Sequence, residues 1–348
     1  MRSTIVGWAA GSVLVCATAC GPDITEPWQI LEPIDLGMTL SLGTPGAFSV
    51  PLPDPGSRPY HQVLPLDELL VTPSVAGLDG LIPLEDLEFR YVVCSATGCG
   101  EALNRADGDL PVCASTGAAE IPCVMSADPT PTGSFVVPTF TEATPDDPGA
   151  AFPTSGVAAI GSRTGAPGAD VCVARLRDRA PLGGCFVLFR SLSFGPQGTF
   201  LELLEESGAD IDLDDISEAA LAAPRNRVPQ VDAVTITVGT NAGTAAPGST
   251  INVSTGDTVR MQWVPSDDDF DEYSVFTEEG DELRISDLLL GAWWTTDDAT
   301  AFDVDLTSGT SVEWVVGNEP GTKYVYLLVR DASAAESVAW FRFDVSQG

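Results

Sequence analysis

The chain has 348 residues, with 50 Asp or Glu against 16 Lys or Arg and a net charge of −34. That excess opposes binding to nucleic acid or to an anionic lipid surface, while it favours solubility and draws cations. No stretch beyond the N-terminus approaches the run of about eighteen apolar residues that a spanning helix needs. One lysine, Lys323, stands beside fifteen arginines, and Ala, Gly and Pro are abundant, as expected of a GC-rich coding sequence.

In chain order, Arg2 precedes an apolar run of eleven residues, Ile5 to Val15, and Ala17-Thr18-Ala19-Cys20 then leads small residues into a cysteine. The run is too short to cross a bilayer and has the length of a signal-peptide core. The small-small-Cys ending resembles the bacterial lipobox, whose cysteine is acylated and becomes the first residue of the mature chain. Ala17 stands where leucine is commonest. The resemblance implies a signal peptide over 1–19, lipidation at Cys20 and attachment to a membrane by acyl chains worth about 0.8 kcal/mol per buried CH₂. Ordinary secretion with cleavage near Ala19 is the alternative. Gly21 after the cysteine, in place of aspartate, implies the outer membrane, on its periplasmic or its outer face.

Residues 20–59 read as a proline-rich tether, since proline at this frequency excludes helix and central strand. Met38 to Leu42 alternates and is expected to open a short edge strand, with Trp28 as a packing anchor. Residues 60–224 read as an irregular β-rich domain. Leu87, Phe89, Tyr91 and Val93 share one strand face, and Ser134 to Val137 and Phe186 to Phe194 are further strand candidates. Its six cysteines, Cys94, Cys99, Cys113, Cys123, Cys172 and Cys185, read as three disulfides. Fifteen connectivities are open, and nearest-neighbour pairing demands the least topology. Zinc is disfavoured, because no C-x-x-C occurs and the only histidine, His61, lies far from any cysteine cluster.

A short helical pair closes this region. One helix runs from Phe200 to Glu206 and stops at Gly208; a second is capped by Asp214 or Asp215 and runs to Ala223. Asp210, Asp212, Asp214 and Asp215 invite an EF-hand reading and fail it, with Asp215 at the glycine position and Leu221 at the bidentate glutamate. Pro224 to Gln230 reads as a polar linker. Beyond it come six alternating runs: Val234–Val238, Val259–Trp263, Phe302–Leu306, Val312–Val316, Val325–Val329 and Ala339–Val345. Tyr273–Phe276 and Leu288–Trp294 are further candidates, and together these fit an antiparallel sandwich over 228–348.

This segment resembles the Ig-like or PKD-like modules of bacterial secreted proteins. The likeness rests on Asn226-Arg227-Val228-Pro229, Gly256-Asp257-Thr258-Val259, Ser266-Asp267-Asp268-Asp269-Phe270-Asp271, and Gly321-Thr322-Lys323-Tyr324-Val325 running to Arg330-Asp331. It implies the sandwich fold and hardly constrains function. The acidic loop departs from the modules' usual Asp-Pro-Asp-Gly-Asp wording. Asp267, Asp269 and Asp271 are the candidate calcium ligands, weighed against a solvated acidic loop. Trp263 and Trp314 are in phase with core positions. Trp340 falls on the opposite phase from Phe341, and one of Trp293 and Trp294 must face outward, so Trp293, Trp294 and Trp340 are the candidate surface for stacking on a sugar or gripping a protein.

No catalytic residue is assigned and no cofactor is expected. His61 lacks a Gly-x-Ser-x-Gly partner, Pro320 occupies the serine position of a Ser-x-x-Lys motif, and no His-Glu-x-x-His occurs. The expectation is an all-β, lipid-anchored envelope protein, not an enzyme, that binds an envelope protein or glycan. An envelope hydrolase using carboxylates is the alternative.

Overall fold

Alternating residues become strands wherever one face can be buried, and in this chain that happens twice. The structure, a computed structural model, describes residues 28–49, 58–94, 99, 110–114, 121–139, 156–208, 213, 216–265, 272–276, 282–286, 289–299, 301–304, 309–331 and 335–348; of 219–220, 272–276 and 282–286 it describes the backbone.

Among the described residues the first domain has eight strands: β1 (Ile34–Leu42), β2 (Glu68–Gly77), β3 (Gly80–Leu81), β4 (Leu87–Cys94), β5 (Cys123–Val124), β6 (Gly133–Val136), β7 (Gly156–Arg163) and β8 (Cys185–Ser191). One sheet runs β1-β2-β3, with β6 also on β2, and the other runs β5-β4-β7-β8. Met38, Leu40, Leu69 and Val71 of the first sheet meet Phe89, Tyr91, Val93 and Phe186 of the second in a shared core, so this domain is itself a β-sandwich. The reverse face of the second sheet is covered as well: Val92, Cys94, Ala158 and Ile160 pack with Cys172 of helix α1 (Ala169–Arg177). A strand buried on both faces loses its period-two signature. That is why β7, which reads Gly-Val-Ala-Ala-Ile, does not stand out in the sequence.

The disulfides pair nearest neighbours, Cys94 with Cys99, Cys113 with Cys123 and Cys172 with Cys185. The last fastens α1 to β8. Helix α2 (Gln197–Glu206) ends just before Gly208, whose φ of 91° suits glycine. Helix α3 (Glu218–Leu221) is a single turn, shorter than the expected run to Ala223, and its expected caps Asp214 and Asp215 lie outside the described residues.

The second domain holds β9 (Val234–Val238), β10 (Asn241–Ala245), β11 (Thr250–Ser254), β12 (Thr258–Trp263), β13 (Glu272–Phe276), β14 (Glu282–Ser286), β15 (Leu290–Thr295), β16 (Ala301–Val304), β17 (Ser311–Val315), β18 (Gly321–Arg330) and β19 (Glu336–Ser346). Sheets β10-β9-β12-β17-β16 and β11-β19-β18-β15 face each other as an Ig-like sandwich, and β13 pairs with β14. The strand pairing is antiparallel, as expected, with one parallel pair where β11 runs beside β19. Val259, Met261, Trp263, Val312, Trp314 and Phe341 lie in its core, as their phase requires.

Two segments depart from expectation. Residues 28–42 are not a tether. Ile30 N donates to Thr295 O at 2.8 Å, Thr295 N donates to Trp28 O at 3.0 Å, and the Trp28 ring stacks on Phe302 at 5.1 Å. Proline excludes a helix but permits strand edges, and β1 follows directly as a full nine-residue strand. Nor is 224–230 a solvated linker. Arg225, Asn226 and Val228 are buried, Val228 N donates to Pro59 O at 2.9 Å, and the Arg227 guanidinium lies over the Tyr60 ring.

Candidate functional site at the seam between the domains

Residues of β18 and β19 alternate between the sandwich core and the outer face, and the first domain covers that outer face. Ile30, Leu36, Ala76 and Tyr326 are buried there, with Ile34, Leu81, Trp294, Tyr324, Val338 and Trp340 half-buried around them. The candidate aromatic surface is therefore divided. Trp293 is 3% exposed and its Nε1 donates to Gly309 O at 2.6 Å, so it belongs to the core and is corrected as a surface residue. Trp294 and Trp340 do lie on the outer phase, but they pack beside this apolar seam, with Trp340 tilted against the Tyr324 ring at 5.9 Å. The Tyr326 hydroxyl donates to Gly77 O at 2.7 Å, and burial raises its pKa, which keeps it a neutral donor.

Charged groups pin the same seam. Glu336 on β19 is 1% exposed. Its Oε2 accepts from Met38 N at 3.1 Å and pairs with Arg190 of β8; its Oε1 pairs with Arg330. Thr39 Oγ1 donates to Glu336 O at 2.9 Å. A Cβ on Gly37 would stand 2.8 Å from Glu336 Oε2, so a larger residue there would have to displace the carboxylate. A second buried pair ties the strap between the domains to the first. Asp67 Oδ2 meets Arg225 Nη1 at 2.8 Å and also accepts from Leu64 N, and Asp67 Oδ1 accepts from Gly46 N and Ser49 Oγ at 2.6 Å. Such pairs endure when every lone pair finds a donor. Asn226 Nδ2 in turn donates to Asp331 Oδ2 at 3.3 Å.

Between these pins lies a polar groove of about 360 Å³, lined by Thr39, Ser74, Val228, Gln230, Pro247 and Ser337 among others. Another buried carboxylate, Asp297, lies against the Ig-like core beside Trp314. It accepts from Trp314 Nε1 and Gly317 N and faces Lys323 Nζ at 3.3 Å. Burial pushes its carboxyl above the ordinary carboxylate range, opposed by the Gly317 amide, the Lys323 charge and the Trp314 indole.

Of the residues singled out in the sequence, Cys20 and the calcium candidates Asp267, Asp269 and Asp271 lie outside the described residues. Among the described residues, no three His, Cys, Asp or Glu side chains converge as a metal site. His61 is buried, with Nδ1 3.1 Å from Leu40 O. Sequence reasoning missed Glu336, Arg190, Asp67, Arg225 and Asp297. One signal was available: Lys323 shares the phase of Val325, Leu327 and Val329, an uncommon place for a charge.

No family model and no curated protein matches the chain. Among solved structures it is similar to fibronectin(III)-like modules of Clostridium thermocellum CbhA, at 8% identity over 89% of this chain and 94% of that one, with a TM-score of 0.22. It is also similar to Sidekick-1 immunoglobulin domains 1–4, at 10% identity over 91% and 50% of the two chains, with a TM-score of 0.18. A nucleoside hydrolase-related hypothetical protein from Saccharophagus degradans, described as associated with carbohydrate metabolism, matches at 13% identity over 46% of this chain and 35% of that one, with a TM-score of 0.21. The chain thus spans about a third of that protein. Scores of this size carry no argument, and the sandwich architecture rests on the strand order and cores above.

Proposed function

We propose that this protein is a lipid-anchored component of a bacterial outer membrane with a binding or structural role, offering a paired-sandwich body to an envelope protein or glycan. The observation that supports this reading most is the seam. Glu336 with Met38 and Arg190, and Tyr326 with Gly77, join two sandwiches face to face, which suits a rigid scaffold better than a flexible string of modules. The anchor adds a geometric consequence. Cys20 precedes Trp28 by eight residues, and that length of chain reaches at most about 29 Å. An acylated Cys20 would therefore hold the β15–β16 edge of the Ig-like sandwich close to the membrane, where Trp28 docks. The surfaces left for a partner are those away from that edge, including the loops of the first domain.

Mass spectrometry of the mature N-terminus, combined with protease shaving and crosslinking on intact cells, tests this. The reading expects an acylated Cys20 and crosslinks to envelope neighbours. An unmodified N-terminus on a protein free of the membrane would contradict it.

A further inference from the structure

Lysine occurs once in this chain, and its side chain is turned inward. Lys323 lies on β18 in phase with the core residues Val325, Leu327 and Val329, and 13% of its side chain is exposed. Its Nζ stands 3.3 Å from Asp297 Oδ1 and 3.9 Å from Asp298 Oδ1. Asp297 is fully buried. Its Oδ2 accepts from Trp314 Nε1 at 3.0 Å and Gly317 N at 2.7 Å, while its Oδ1 accepts no hydrogen bond. Nucleophile, carboxyl carbon, two donors on one oxygen and a second carboxylate are thus gathered at one end of the core.

We propose that Lys323 and Asp297 condense into an intramolecular amide that joins β18 to the loop between β15 and β16. In a low-dielectric site the separated charges of an ion pair are costly, and moving the proton from Nζ to the carboxylate yields a neutral amine and a neutral acid. The Nζ lone pair then forms a bond to Cγ of Asp297. Negative charge develops on Oδ2, where the Trp314 and Gly317 N–H groups already point, an arrangement able to stabilise a tetrahedral oxyanion. Asp298 takes the proton released by Nζ and passes it to Oδ1. The Cγ–Oδ1 bond breaks and one water leaves. The step needs no oxidant or cofactor, and the fold holds the reactants together in place of collision. Gly317 permits the approach, since a Cβ there would lie 2.1 Å from Asp298 Oδ1.

The full chain, denatured and reduced, is digested with a protease that cuts only after lysine, and its intact mass is measured. The amide predicts a mass lower by one water and no cleavage after Lys323; a second sample cut after arginine places the missing water on the peptide 285–330, which carries both Asp297 and Lys323. Lys323→Arg restores the full mass. Asp298 is 44% exposed, so Asp298→Asn leaves the fold in place; it is expected to slow amide formation about a hundredfold, leaving a mixture of the two masses. Quantitative release of residues 324–348 from the wild type, together with acetylation of Lys323 in the denatured chain, would overturn the proposal. An Asp298→Asn chain that converts as fast as wild type would overturn the proposed route.

Discussion

The amide of Met38 and the carboxylate of Glu336, 298 positions apart in sequence, meet at 3.1 Å inside the seam. That contact places a strand of one sandwich against a strand of the other, and two arginines close around it. Glu336→Gln would remove the carboxylate shared by the Arg190 and Arg330 guanidiniums, leaving Arg190 with Asp35 as its acidic neighbour. Removing one member of a buried ionic cluster costs about 3–5 kcal/mol, and the lower end is expected because Arg330 remains 43% exposed. Calorimetry should then resolve two unfolding transitions where the wild type shows one. A single unshifted transition would mean the seam contributes little.

Trp28 is the first described residue, and it stacks on Phe302 at 5.1 Å. Trp28→Ala should cost about 1–3 kcal/mol, below the range for a fully buried tryptophan because this one is half-buried. It should also deprotect the Ile30 and Thr295 amides in hydrogen exchange. Unchanged protection would show that the backbone pairing holds without the ring.

The Cys172–Cys185 bridge closes thirteen residues and fastens α1 over β7. Replacing both cysteines with alanine is expected to cost about 3 kcal/mol. Urea denaturation measures it, and exchange in Ala169–Arg177 should rise before exchange in β4.

Asp297 supplies a pH test. Burial raises its pKa, so the folded state holds the proton more tightly than the unfolded chain. A free carboxyl here therefore contributes most below the ordinary aspartate range, and that contribution is lost as pH rises through the raised folded value. Lys323→Met leaves this carboxyl free and without a counter-charge. Its stability relative to the wild type should worsen from pH 4 to pH 7, by about 1.4 kcal/mol for each unit the folded pKa stands above the unfolded one. A difference that stays flat with pH contradicts this.

The Ig-like sandwich was legible because its strands have one wet face: Val259, Met261 and Trp263 against Thr258, Arg260 and Gln262 gives the alternation directly. The first sandwich was less so. β2 carries Pro73 mid-strand and β7 is apolar on both faces, so neither shows the pattern its fold demands. Alternation required one of Trp293 and Trp294 to face outward without saying which, and periodicity assigns a face but cannot say what covers it. Here another domain does. The same limit hid the contacts of Glu336 with Met38 and Arg190 and of Arg225 with Asp67, whose members lie more than a hundred residues apart in sequence.

The functional account proposes an acylated Cys20. Membrane fractionation of cells making the wild type or Cys20→Ser, with detergent extraction, tests it most directly. The account predicts wild-type protein in the detergent-extracted membrane fraction and the Cys20→Ser protein in the soluble fraction, each with both sandwiches folded. Wild-type protein already soluble, or a Cys20→Ser protein that stays with the membrane, would contradict it.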